Sequence, residues 1–234
     1  MLNINKHRVI LIQILKDIYS DIEISSLLGF KGGTAVYFFY QLTRFSVDLD
    51  FNLLDSNKKT FVFEKIKNIV SAHGELKEAS QKQNTLFFLL SYERETRNLK
   101  IEISTRMFED SYEVKDYLGI PVLVMKQEDM FAHKMAALLD RKSLANRDLY
   151  DIIFFIKNRW DCNLNLLEKR TGMATKDYID RCVHRVNQVN NTYILQGLGE
   201  LLTEPSKDSM REKMKDEILF YLKLFKEGLI NKGH

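Results

Sequence analysis

Two aspartates set the chemistry this sequence can offer. In Val47-Asp48-Leu49-Asp50-Phe51, acidic and apolar residues alternate with period two, the pattern of a strand with one buried face. Asp48 and Asp50 then project from the other face, close enough together to bridge a hard cation such as Mg²⁺ through oxygen ligands. Two like charges side by side on a strand repel unless something positive lies between them, and a metal ion is the usual remedy. A solvated edge strand would show the same D-x-D string, so the pair gains meaning only from its surroundings. Asp48 to Asn52 also opens like a calcium loop, but Leu53 stands where that loop needs Gly and Lys59 where it needs Glu, which removes the reading. Ahead of the pair, Gly32-Gly33-Thr34 breaks the apolar pattern just before a helix. Consecutive glycines let backbone N–H groups approach a phosphate at the positive helix N-terminus, and the Thr34 hydroxyl offers a further donor. An ordinary turn also uses Gly-Gly; it is the order of glycine turn, helix and D-x-D strand that sets phosphate beside metal. Glu102, in Leu99-Lys100-Ile101-Glu102-Ile103-Ser104, leaves its strand opposite Ile101 and Ile103 and supplies a third acid. Three carboxylates on adjacent strands can hold two metal ions about 3.5–4 Å apart, one activating an attacking hydroxyl and one neutralising a triphosphate, which is the chemistry of nucleotidyl transfer.

The elements that must position these groups follow from periodicity. Ile10, Leu11, Ile14, Leu15 and Ile18 recur at three- and four-residue steps and predict an N-terminal helix within Asn5 to Leu28. Further helices are expected from Ala35 to Leu42 and from Phe61 to Ser71. Strands are expected at Thr85 to Tyr92 and Leu99 to Ser104, joined by the polar turn Glu93 to Arg97, with a last short strand from Val122 to Met125. Beyond Lys126 the strand signals stop, and Gln127 to Leu139, Asp148 to Lys157, Thr175 to Val189 and Ser206 to Leu229 carry helical spacing. The expectation is an α+β chain: a core of small mixed sheet and helices over residues 1–125, and a helical part over 126–234 packed closely on it, with no Gly/Ser linker or repeat between them.

Lys31-Gly32-Gly33-Thr34-Ala35 followed by Arg44-Phe45-Ser46-Val47-Asp48-Leu49-Asp50-Phe51 resembles the first motifs of the AbiEii/AbiGii toxin family, the nucleotidyltransferases of type IV toxin–antitoxin and abortive-infection systems. His133-Lys134-Met135-Ala136-Ala137, Arg141 and then Arg147-Asp148-Leu149-Tyr150-Asp151 is similar to that family's lysine motif and its R-D-x-x-D motif. The resemblance runs in order from about Phe30 to Ile156, and the residues after Trp160 match no motif. It implies a polymerase-β-like core, Mg²⁺ or Mn²⁺, a nucleoside triphosphate donor, and, as in the MenT-like members, transfer of nucleotides to the 3′ end of tRNA by a toxin whose antitoxin is encoded separately. Fourteen residues lie between Gly33 and Asp48, a longer spacing than in the superfamily at large. The AbiEii-like branch shares that length, which weakens any analogy to antibiotic adenylyltransferases. In this frame Asp48, Asp50 and Glu102 carry the metals, while Gly32, Gly33 and Thr34 cradle phosphates. Arg44 and Ser46 brace the D-x-D strand or touch the nucleotide, and Lys134 offsets triphosphate charge. Asp151 ranks ahead of Asp148 as the functional acid of the last motif.

Read from its own neighbours, Lys134 lies mid-helix among Met130, Ala137 and Leu138, so its stem crosses apolar surface and a compact ammonium is left to meet phosphate or solvent. Asp148 and Asp151, one turn apart beside Arg147, could equally be a helix-start acid and a structural ion pair. Arg141 reads as readily structural, and His133 as a packed or capping residue. A net charge of +3 from 35 basic and 32 acidic residues is too small to announce a polyanion partner. Cys162 and Cys182 form no C-x-x-C pair, so neither a disulfide framework nor structural zinc has support, and a reducing, cytoplasmic setting fits. No uncharged apolar run approaches the roughly 18 residues that span a bilayer, and no membrane partner is expected. Two rival functions stay open: a nucleotide- or partner-binding module that has lost turnover, against which the complete acid set argues, and a nucleotidyltransferase acting on a small molecule.

Overall fold

Strands with one apolar face build a mixed sheet from the first half of the chain. The computed structural model describes residues 3–93 and 97–231, so the middle of the turn expected over Glu93 to Arg97 lies outside the described residues. The chain divides into two compact units, Met1–Lys126 and Gln127–His234.

In the first unit, α1 (Ile4–Ser20) starts at Asn3, whose side chain accepts from the Lys6 N–H, and it buries His7, Leu11, Ile14, Leu15 and Ile18 along one stripe. It ends well short of Leu28 because Asp21 turns the chain, its carboxylate accepting from the Glu23 N–H. There follow β1 (Leu28–Lys31), α2 (Gly32–Tyr40), β2 (Asp48–Leu53), α3 (Lys59–Ser71), β3 (Glu75–Gln81), β4 (Thr85–Ser91), β5 (Leu99–Ser104), β6 (Tyr112–Tyr117) and β7 (Ile120–Met125). The strands form one sheet in the order β3-β4-β5-β2-β1-β7-β6. β2 runs antiparallel to β1 and parallel to β5, β1 is parallel to β7, and the outer pairs are antiparallel. Leu49, Phe51, Ile101, Ile103, Leu86 and Phe88 are fully buried. They line the face on which α3 packs, where Phe63 stacks on Phe88 with ring centres 5.1 Å apart. Each such side chain removed from water contributes roughly 1.5–3 kcal/mol, which fixes the register of the strands that carry them.

β1, β3 and β6 are absent from the strands expected by sequence, so the sheet is larger than the small one anticipated. β3 and β6 are its two edges and show no clean apolar alternation; Glu75, Lys77 and Glu78 of β3 are exposed. β1 is four residues long and contains Gly29, where a Cβ would lie 2.1 Å from the Tyr112 ring.

The second unit is helical: α4 (Gln127–Asp140), α5 (Asn146–Lys157), α6 (Leu164–Thr171), α7 (Thr175–Asn187) and α8 (Glu204–Asn231). α6 has no counterpart in the sequence-based reading; Asn163 caps it by accepting from the Leu166 N–H. Phe131, Met135, Leu149, Ile152, Phe155, Ile179, Ile218 and Leu222 fill the core, and Trp160 stacks flat on Phe155 at 4.2 Å. The buried Tyr178 hydroxyl lies against the Met135 and Ala136 carbonyls, to which it donates. Among the described residues, no helix is long and apolar enough to cross a membrane.

Candidate active site

The register of β2 against its neighbours assembles the acids. Asp48 stands opposite Lys100 and Asp50 opposite Glu102 on β5, while Lys31 of β1 stands opposite Asp50 on the other side. Cross-strand partners share a face, so Lys31, Asp50 and Glu102 form one row and Asp48 and Lys100 the next. The Lys100 ammonium lies 3.6 Å from Asp48 Oδ2 and 3.8 Å from Glu102 Oε2. Burial, together with the charges of Asp48 and Glu102, raises the Asp50 carboxyl to about 6 against the opposing pull of Lys31 and Lys100. Among the described residues, no three His, Cys, Asp or Glu side chains stand as a closed ligand set. Asp48, Asp50 and Glu102 share a face without converging on one point, and the Lys100 ammonium sits beside two of them. Their chemistry nonetheless suits a hard divalent ion, because three carboxylates offer only oxygen and the strained charge of Asp50 is what a cation relieves.

The glycine turn is fitted against the same acids. Gly32 has φ +78°, and a Cβ there would fall 2.4 Å from Asp50 Oδ2, so only glycine lets the start of α2 come this close to the carboxylate. At Gly33 a Cβ would meet Arg44 Nη2 and Ser46 Oγ, each at 2.8 Å. The Thr34 hydroxyl is not turned outward toward a phosphate. It is buried, donates to the main-chain oxygen of Asp48 and lies 2.9 Å from Ser46 Oγ, which fastens the helix start to the strand. Arg44 is buried as well and donates to the Phe45 carbonyl at 3.0 Å. Arg44 and Ser46 are thus buried against the Gly33 backbone, where the turn meets the strand.

Two residues of this neighbourhood are missing from the sequence-based set. His7 on α1 is wholly buried, donates from Nε2 to the Val47 carbonyl at 2.8 Å, and accepts at Nδ1 from the Tyr92 hydroxyl at 2.7 Å. Burial lowers its pKa, so the neutral ring holds the residue next to Asp48. The signal was available: His7 precedes Leu11, Ile14 and Ile18 at helical spacing, on the face that must be buried. Asn52 continues the acid face of β2, and its amide donates to Asp110 Oδ2 at 2.7 Å and the Tyr112 hydroxyl at 2.8 Å.

In the second unit, the Lys134 ammonium lies 2.9 Å from Asp148 Oδ1 and 3.0 Å from Asp151 Oδ2. Asp151, ranked ahead by sequence, and Asp148 therefore hold the same lysine, and both are buried. Arg141 Nε is 3.1 Å from Asp148 Oδ2, but misaligned, so the contact is an ion pair without a good hydrogen bond. His133 accepts at Nδ1 from Arg170, which also pairs with Asp140.

Among curated proteins none matches this sequence. Of solved structures, JHP933 from Helicobacter pylori superposes with a TM-score of 0.63 at 21% identity, over 100% of this chain and 97% of that one. A second H. pylori structure, of a proposed nucleotidyltransferase, superposes with a TM-score of 0.62 at 24% identity, over 98% of this chain and 97% of that one. At these identities the likeness is one of fold, that of the polymerase-β-like nucleotidyltransferases. The model of the nucleotidyl transferase AbiEii toxin of type IV toxin–antitoxin systems matches residues 13–229, which include Gly32, Gly33, Asp48, Asp50, Glu102 and Lys134, and the chain belongs to that family of nucleotidyltransferases.

Proposed function

We propose that this chain moves a nucleoside monophosphate from a nucleoside triphosphate to a hydroxyl at the end of an RNA, with pyrophosphate leaving. The 3′ end of tRNA is the acceptor to which the resemblance points. The reading is carried by the arrangement of Asp48, Asp50 and Glu102 on one sheet face with the glycine turn pressed against Asp50. Asp48, Asp50 and Glu102 would hold Mg²⁺ or Mn²⁺, which supplies charge neutralisation for the triphosphate and a more acidic attacking hydroxyl. The chain's own part is positional. Backbone N–H groups at Gly32 and Gly33 orient phosphate oxygens at the positive end of α2. Lys31 and Lys100 flank the acids with positive charge, and Thr34, Ser46, Arg44 and His7 keep strand and turn in register. Fixed charges of this kind lower the barrier because nothing must reorganise as the bond breaks. In the cell the activity would inhibit growth from the cytoplasm, where triphosphates and tRNA are found, until a separately encoded antitoxin opposes it.

The test is to incubate purified protein with each labelled triphosphate and total RNA, with and without EDTA. Label from one triphosphate should enter RNA only when the divalent ion is present, and Asp50→Asn should abolish it. Label in a small metabolite instead would favour the small-molecule enzyme. Tight triphosphate binding with no transfer to any acceptor would favour the binding module.

A further inference from the structure

Across the sheet, the glycine turn lies on the β1 side of Asp50, and Glu102 lies on the other side, on β5. In an in-line displacement the attacking hydroxyl approaches opposite the leaving pyrophosphate. A triphosphate resting on the glycine turn therefore takes its attack from the β5 and β4 side. What the protein shows there is an aromatic ring. Phe87 of β4 stands directly opposite Glu102 and shares its face, and Leu89 stands opposite Lys100. Both are half-buried, whereas Leu86, Phe88 and Leu90 on the reverse of the same strand are fully buried. The Lys82 ammonium lies over the Phe87 ring, 4.1 Å from its centre, on an exposed stem that can swing to a phosphate when a base takes its place. The turn carrying Lys82 is tied down by Lys59, whose ammonium donates to the Lys82 carbonyl at 3.1 Å. Strand spacing puts Phe87 about 5 Å from Glu102 and about 10 Å from Asp50, the reach of the nucleoside that bears the attacking hydroxyl.

We infer that Phe87 is a stacking platform for the 3′-terminal base of the acceptor RNA, with Lys82 meeting a phosphate of the same end. This rests on the transferase reading above and adds to it the place and chemistry of acceptor binding. A half-buried ring suits any base, because every base has a π-face, and an adjacent ammonium adds the charge that a polyanion requires and a neutral metabolite does not. The platform thus favours an RNA end of relaxed sequence over a small-molecule acceptor.

The probe is a short single-stranded oligoribonucleotide with 2-aminopurine at its 3′ terminus or, as a control, in its interior; stacking quenches this base's fluorescence. The full chain with Mg²⁺ should quench the terminal probe and leave the interior one bright. Phe87→Trp should keep the effect. Phe87→Ala should weaken binding roughly five- to hundredfold at equal folded protein, the loss of one base–aromatic stack. Lys82→Ala should lower the slope of log affinity against log salt by about 0.7, the value of one phosphate contact to a single strand. Equal quenching in wild type and Phe87→Ala, quenching at the interior position, or no binding of the oligonucleotide overturns the inference. Its failure is separable from failure of the transferase reading. Label entering RNA with an unaltered acceptor KM in Phe87→Ala removes the platform and keeps the enzyme, while Phe87-dependent terminal quenching without any label transfer does the reverse.

Discussion

Replacing Lys134 by alanine removes the ammonium that links α4 to both acids of α5, at 2.9 Å from Asp148 and 3.0 Å from Asp151. The acid side chains are 1% and 0% exposed, so the two negative charges cannot turn to water when the lysine is gone. Arg141 remains near Asp148, but its contact is misaligned and its own side chain is 43% exposed, so screening weakens what it can offer. Deleting one partner of a buried ion pair costs about 3–5 kcal/mol, because the stranded charge keeps its desolvation penalty. In a chain of this size that corresponds to a fall of about 6–20 °C in melting temperature. Adding Asp151→Asn to Lys134→Ala removes one of the two buried charges that lost the ammonium and should recover part of the loss, giving a positive coupling in the double-mutant cycle. Circular-dichroism melts and urea titrations of the four proteins measure this directly. A Lys134→Ala protein that melts within about 2 °C of wild type, with no gain from the second change, would refute the reasoning. The same experiment bears on the expected role of this lysine toward triphosphate. A fall in turnover at equal folded protein supports that role, whereas a fall that tracks the folded fraction assigns Lys134 to the scaffold alone.

Asp50→Asn should stabilise the metal-free protein, and the gain should depend on pH. The folded carboxyl holds its proton up to about 6 while the unfolded one releases it near the ordinary carboxylate value, so folding takes up a proton between these limits. The stability of the wild type in EDTA should therefore decline as pH rises from about 4 to about 6 and level off above. Urea midpoints of wild type and Asp50→Asn should diverge over that window, and parallel curves would contradict the raised carboxyl. Gly32→Ala places a side chain at φ +78° and against Asp50 Oδ2; it should cost at least about 1–2 kcal/mol and abolish metal-dependent triphosphate binding by calorimetry. Thr34→Val keeps the shape but leaves the main-chain oxygen of Asp48 without its hydroxyl donor, and should lower stability by about 1–3 kcal/mol in a thermal melt.

The parts of the fold legible in the sequence are those whose burial is sorted along a single element. α3 and α7 bury regular stripes, and β4 and β5 alternate cleanly, so their patterns survive without tertiary context. The edges β3 and β6 have little to bury and therefore leave no pattern, and β1 conceals itself behind Gly29, which is small because the Tyr112 ring needs the space. Of the candidate site, the shared face of Asp48 and Asp50 is readable from local alternation, and the facing of Glu102 from its flanking isoleucines. That Lys100 lies beside Asp48 and Lys31 beside Asp50 is information held only in strand register, across long separations in the chain. The direction taken by Thr34 and the burial of Arg44 likewise depend on packing between elements. A hydroxyl beside a glycine pair reads the same whether it faces a phosphate or the strand behind it.

The parallel pairing of β2 with β5 also determines when the site comes into being. Asp50 and Glu102 are neighbours in the sheet but roughly fifty residues apart along the chain, and closing such a loop costs about 3.5 kcal/mol of entropy beyond a constant. At usual rates of synthesis, about 3–10 s pass between the emergence of one strand and the other. During that interval the nascent chain carries the glycine turn and the acid pair without the third acid or Lys100. β5 must then seat itself between β2 and β4 before the four charged groups share a face. A chain broken or stalled before β5 would lack Glu102 and Lys100, so the proposed activity is deferred by the topology until most of the first unit has been made.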